Sequence, residues 1–169
     1  MNGDGQGFWG KYRGTVSDNK DPEERGRIRA KVLDVFGDGD SGWALPCAPA
    51  GGISQTGFFA VPPTGATVWM EFEHGDPEYP VWSGCFWAVK KDAPAALRPS
   101  PAEQVMIVTK GGNKITLSDV SGKEGITLET SQGFKIAITK NGIEINNTKA
   151  SIKLTGRTVS VNDGALEVT

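Results

Sequence analysis

The stretch that decides the fold is residues 133–161, GFKIAITKNGIEINNTKASIKLTGRTVSV. Aliphatic residues stand two apart, in Ile136/Ile138, Ile143/Ile145, Ile152/Leu154 and Val159/Val161, and Lys, Glu, Thr, Asn and Ser fill the positions between. A period of two puts the aliphatics on one face of a strand and the polar set on the other. Working outward, the same unit covers residues 105–169. Ile115/Leu117, Ile126/Leu128 and Phe134 precede the central stretch, and Leu166/Val168 follow it. Gly125, Gly133, Gly142, Ala150, Gly156 and Gly164 punctuate the run at spacings of 8, 9, 8, 6 and 8. Repetition at a short fixed interval predicts an elongated, repetitive β structure.

A single-chain β-solenoid needs three sides per rung, roughly 20 residues or more. Each unit here is half that or less, so one chain supplies one side. Each aliphatic contributes about 1.5–3 kcal/mol only if it is buried, while every ordered residue costs about 1–2 kcal/mol of backbone entropy. A lone ribbon therefore folds poorly, and three intertwined copies are the expected remedy, closing an apolar prism without free lateral edges. The expected trimer core is Ile115, Leu117, Ile126, Leu128, Phe134, Ile136, Ile138, Ile143, Ile145, Ile152, Leu154, Val159 and Val161.

Upstream the pattern changes. Residues 1–10 are a Gly-rich extension ending in Phe8-Trp9. Residues 11–87 read as a small β-barrel, with strands expected over Tyr12–Val16, Arg27–Val35, Trp43–Leu45, Phe58–Val61, Thr67–Glu73 and Val81–Trp87 and no convincing helix. Residues 88–104, with Pro94, Pro99 and Pro101, form a linker with room for one helical turn at Pro94–Leu97, and 105–169 the needle-like part. Net charge is −2 on 169 residues, so electrostatics give no case for a nucleic-acid or membrane partner. Cys47 and Cys85 lie outside any metal or redox spacing and read as buried packing residues of a protein made in a reducing cytoplasm. Neither a secretion signal nor an apolar run of about 20 residues is present in this sequence.

Sites of chemistry fare poorly. Asp38-Gly-Asp40-Ser-Gly42 hints at a calcium loop, but its twelfth position is Pro49, so it reads as an acidic turn. Gly52 to Gly57 has the spacing of a phosphate loop, with Phe58 where Lys is needed. Glu71 and Glu73 near His74 alternate with Met70 and Phe72 as a solvated strand face does, although Glu71, Glu73, Asp76 and Glu78 could be imagined as a glycosidase pair. Ser83 lacks the Gly-x-Ser-x-Gly elbow. The five tryptophans could serve as stacking platforms, but without a basic groove they read as barrel core and inter-subunit contacts. The expectation is a protein without catalytic residues, metal or cofactor.

Tyr12-Arg-Gly-Thr-Val16, then Asp21-Pro-Glu-Glu-Arg-Gly-Arg27, resembles the entry of the baseplate V and VgrG-type spike proteins of phage contractile tails and related injection systems. So does Pro63-Thr-Gly-Ala-Thr-Val-Trp-Met-Glu-Phe-Glu-His-Gly-Asp-Pro-Glu-Tyr-Pro-Val-Trp-Ser-Gly84. The resemblance implies an all-β protein: an N-terminal OB-fold-like barrel followed by a C-terminal intertwined trimeric β-helix, the needle. It implies a structural central spike in a virion tail baseplate or injection particle, assembled in the bacterial cytoplasm. Its partners would be copies of itself, a tail hub protein at the barrel, a PAAR-type tip protein and, transiently, the target cell envelope. Simple members end in a His-x-His iron site, whereas the one histidine here is His74, so a bare spike without a metal tip is expected. The segment 88–104 leaves no room for the lysozyme domain of larger members. Tip docking is expected at Gly164, Ala165, Leu166, Glu167, Val168 and Thr169. The rival functions are a single-stranded nucleic-acid-binding OB module and an envelope-degrading enzyme.

Overall fold

The structure, a computed structural model, describes residues 7–97 and 103–169. Residues 1–6 of the expected extension and 98–102 of the expected linker lie outside the described residues. The chain divides into two compact units, the first ending at Asp92 and the second running over Ala93–Thr169.

In the first unit, β1 (Tyr12–Asp18) pairs antiparallel with β2 (Arg29–Lys31) and with β4 (Thr67–Phe72). β4 pairs with β5 (Pro80–Cys85), which lies parallel to β3 (Leu45–Pro46). The sheet order is β2-β1-β4-β5-β3. An antiparallel bridge between Ile28 and Ala44, with reciprocal backbone hydrogen bonds of 3.2 and 2.8 Å, ties the two outer strands together. The sheet thus curls back on itself, removing its edges. Val16, Ile28, Ala30, Val32, Ala44, Val68, Met70 and Trp82 form one buried cluster inside, and a bulge in β5 breaks its alternation beyond Trp82. Phe8, Tyr12, Phe36 and Phe72 meet edge-on or tilted at 5.5–6.1 Å between centroids, beside this cluster.

Three local expectations are corrected. The strand expected over Arg27–Val35 is confined to Arg29–Lys31, and Leu33–Phe36 form a one-turn helix, α1. The reason is visible at residues 32, 33, 35 and 36, where apolar side chains stop alternating; Val32 is buried and Leu33 exposed. Phe58–Val61 is not a strand, because its one backbone link outside the neighbouring turn is Phe58 N–H to the Ala50 carbonyl at 3.2 Å. Cys47 and Cys85 are exposed; a bulge after Trp82 breaks the alternation of β5 and sets Cys85 opposite Val68 at the strand's end, where it is left uncovered. A second helical element, a 3-10 turn, occurs at Glu73–Gly75, where His74 takes φ 54°, and another at Ala95–Leu97.

The loop between β1 and β2 is organised by one carboxylate. Asp21 accepts backbone N–H groups from Glu23, Arg25 and Arg27 at 3.0, 2.8 and 3.2 Å, and Arg27 Nε and Nη2 at 3.0 and 2.7 Å. The Arg27 guanidinium also lies 5.8 Å from the Trp43 ring centre. Bonding to the Arg27 side chain, above all, holds the Asp21 carboxyl far below the ordinary carboxylate range. A depressed folded-state pKa gives stability that is complete above the unfolded value of about 4 and is lost as pH falls through the folded one. Amides of Arg25 and Arg27 should therefore stay protected from hydrogen exchange well below pH 4. Release near pH 4, in step with ordinary carboxylates, would contradict this.

The second unit is an antiparallel meander of eight strands in sequential order. They are β6 (Gln104–Val108), β7 (Lys114–Ser118), β8 (Gly125–Glu129), β9 (Lys135–Thr139), β10 (Gly142–Asn146), β11 (Ser151–Thr155), β12 (Thr158–Val161) and β13 (Leu166–Val168). At about 4.8 Å between neighbours the eight strands extend roughly 34 Å across the sheet. Two glycines permit the closest approaches: a Cβ on Gly142 would stand 1.9 Å from the Leu154 carbonyl oxygen, and one on Gly125 2.2 Å from that of Ile138.

Candidate trimer interface

Strand register converts the period-two pattern into two continuous files of side chains on one face. One runs Val105, Leu117, Ile126, Ile138, Ile143, Leu154, Val159, Val168, each opposite the next. The other runs Ile107, Ile115, Leu128, Ile136, Ile145, Ile152, Val161, Leu166. Every member except Val161 is exposed, from 38% at Ile143 and Val159 to 64% at Val105. On the other face Ala137, Ser118 and Ser151 are buried, and Thr116, Thr127, Glu144 and Lys153 are partly covered. In one chain the apolar face is thus the wetter of the two. Covering side chains already half buried is worth on the order of 1 kcal/mol each, and a patch of this length marks a face made for contact.

The structure places Ile115, Leu117, Ile126, Leu128, Ile136, Ile138, Ile143, Ile145, Ile152, Leu154, Val159 and Val161 together on this face. Phe134 precedes β9 at a turn closed by Thr130 N–H to the Phe134 carbonyl at 2.9 Å. Sequence reading missed Val105 and Ile107: in Gln104–Val108 apolar residues fill the polar phase as well, at Met106 and Val108, which hides the alternation. Of the tip-docking residues, Leu166–Val168 form β13 at the sheet edge, with Leu166 and Val168 each 60% exposed; Gly164 and Ala165 lie in the preceding turn and Thr169 follows the strand.

The polar face carries a cross-strand charge ladder. Lys114 pairs with Glu129 at 3.3 Å, Lys135 with Glu144 at 3.4 Å, Lys140 with Glu124 at 3.7 Å, and Lys153 with Asp163. Hydrogen bonding from Asn146, then Lys135, lowers the Glu144 pKa. Exposed pairs of this kind contribute little each. Glu144→Lys would face Lys153 directly and sit near Lys135, a like-charge penalty of about 0.2–1 kcal/mol. Thermal melting should shift by a few degrees at most, and the mass in solution should not change.

In the barrel, Glu71, Ser83 and Asp40 are held in hydrogen bonds or ion pairs, and Glu73, His74 and Glu78 are exposed. Lys11 Nζ donates to Glu71 at 2.9 Å and to Ser83 Oγ at 2.8 Å, and the Lys11 bond, chiefly, lowers the Glu71 pKa. Asp40 pairs with Lys31 at 3.7 Å. Trp82 is in the core, Trp69 stacks on Phe86 beneath Arg13, Trp43 lies beneath Arg27, and Trp9 and Trp87 are exposed. Among the described residues no cluster of three His, Cys, Asp or Glu side chains is placed to hold a metal.

A curled five-stranded barrel followed by a meander with one uncovered aliphatic face defines a β protein built to assemble through its second unit. Comparison gives that class a family. Residues 12–87 match the type VI secretion system/phage-baseplate injector OB domain, and residues 104–167 match the phage baseplate V C-terminal trimerisation domain. Over 85 residues the chain is 32% identical to the actin cross-linking toxin VgrG1 of Vibrio cholerae serotype O1 (strain ATCC 39541 / Classical Ogawa 395 / O395). That alignment takes in 48% of this chain and 8% of the relative's length. The chain belongs to the baseplate V and VgrG-type family of contractile tails and injection systems. Both matched families are structural baseplate or spike domains, so its role is that of a structural baseplate component.

Proposed function

We propose that this chain is the homotrimeric central spike of a contractile tail or phage-derived injection apparatus, joining the tail hub to the tip that meets the target envelope. The observation that carries the reading is the pair of aliphatic files crossing all eight strands and left open to solvent in a single chain. Three such faces turned toward one axis cover one another, leaving the polar faces outward and forming a stiff shaft whose backbone groups are paired in ladders. The barrel would seat on the hub. The edge strand β13, with Leu166 and Val168 exposed, would present the shaft end to a PAAR-type tip protein, since an uncovered strand edge pairs readily with another chain. Particles of this kind assemble in the bacterial cytoplasm.

The experiment is a copy count in purified particles by quantitative mass spectrometry, with cryo-microscopy of the tube end. The reading expects three copies per particle, on the tube axis. Six copies, or a location on the sheath or the plate rim, would refute it. For the tip, a version ending at Thr155 should lose co-purifying tip protein; equal retention by a shortened trimer would place docking elsewhere.

A further inference from the structure

The segment between β3 and β4 is built unlike the rest of the barrel. From Ser41 to Met70 the chain carries no Asp, Glu, Lys, Arg or His. Within that stretch every residue from Cys47 to Ala60 is exposed, including Ile53 at 75% and Phe59 at 85%. The segment is nevertheless closed on itself. Thr56 N–H and Oγ–H both donate to the Ile53 carbonyl, at 3.4 and 3.2 Å. Its two legs touch at glycines, where a Cβ on Gly51 or Gly57 would stand 3.1 or 3.0 Å from the opposite carbonyl oxygen. The result is an arm with an apolar surface. Beside the arm's tip, between its base and the loop 19–26, is a groove of about 940 Å³ lined by Pro46, Val61 and Trp82, with Phe58 and Phe59 of the arm itself, Cys47 and Cys85 among its walls. Lys20, Asp21, Glu24 and Arg25 bring charge to a groove otherwise lined mainly by apolar residues, the composition of a protein-binding patch.

We propose that in the assembled particle the tip of each barrel's arm, led by Ile53, seats in the groove of the next copy's barrel. This rests on the trimeric reading above. An uncharged arm offers nothing to phosphates or anionic lipid headgroups, whose binding is electrostatic, so its cover is protein. A second copy is the occupant that the chain itself supplies. The trimerisation domain at 104–167 tethers three barrels through one short connecting segment, giving an effective concentration on the order of millimolar. Three-fold symmetry requires a head-to-tail contact between two different patches of each copy, a ring that closes after three. The arm's tip around Ile53, which does not line the groove, and the groove itself are two such patches.

The test uses the full chain with Ile53→Cys, whose exposed position leaves the barrel core untouched, and a short bis-maleimide. Each thiol S–H adds across one maleimide double bond, so the arm of one copy becomes linked to Cys47 or Cys85 of the next without any redox step. Denaturing gels should show two- and three-chain species and nothing larger, in a yield independent of protein concentration. Wild type should give at least tenfold less, and so should Ile53→Cys combined with Cys47→Ser and Cys85→Ser. Adding Phe59→Asp, which puts a charge in the groove wall, should cut the yield about tenfold while the mass in solution stays that of a trimer. One-chain bands alone from a chain that light scattering shows to be trimeric would overturn the arm-and-groove contact and leave the trimer standing. So would linkage that climbs past three chains with concentration, or linkage to a different protein in purified particles. A mass of one chain would instead remove the trimeric reading, and this contact with it.

Discussion

Ile143→Lys or Ile152→Lys should abolish assembly. Ile143 stands between Ile138 and Leu154, and Ile152 between Ile145 and Val161, in the middle of the two files. Around a three-fold axis either substitution brings three ammonium groups to one apolar level with no carboxylate among the file members. An unpaired buried charge costs several kcal/mol per ion even after relaxation, so three together should weaken association by at least a thousandfold. Light scattering at micromolar concentration should report dissociated or aggregated chains. Glu144→Lys, one residue along and facing the other way, should keep the assembled mass. Equal damage from the two sets would show that the inward face has been misassigned.

Gly142→Ala should be nearly as severe for a different reason. Its added carbon would lie 1.9 Å from the Leu154 carbonyl oxygen, a backbone atom held in the β10–β11 ladder, and its φ of 126° is one that side chains rarely adopt. The strands must separate locally, at about 3 kcal/mol or more per chain. Gly156→Ala supplies the contrast. It has a φ of 59° but nothing within 4 Å of the added carbon, so only the left-handed strain of about 1–2 kcal/mol remains. Melting curves of the two variants should therefore separate clearly, and coincident curves would place the close approach elsewhere.

What could be read from the chain alone differs between its two units for physical reasons. In the meander, solvated and apolar positions alternate with little interruption, and glycine marks most turns, so strand phase was written in the residues themselves. Phase was lost only at β6, where Met106 and Val108 make the polar positions apolar too. The barrel is harder because it is curled. Its strands are as short as two residues, and closure depends on isolated bridges, Ile28 to Ala44 and Lys31 to Asp40, which no local pattern announces. Leu33–Val35 and Phe58–Val61 read as strand because β-branched and aromatic residues favour strands, yet Phe58 and Phe59 have no sheet partner among the described residues. Residue type alone puts the two cysteines inside, but both are exposed, Cys85 at the end of a strand whose bulge no sequence period shows. The aliphatic face was legible for the opposite reason. A run of alternating aliphatics too thin to bury itself is a statement about other chains.

The central claim is that this face is covered by two further copies of the chain. The most direct measurement is the mass of the full-length protein in solution, by light scattering or sedimentation equilibrium across a micromolar concentration range. The account expects a single species of three times 17.9 kDa that does not dissociate on dilution. A monodisperse 17.9 kDa monomer, with its aliphatic files still in water, would contradict it.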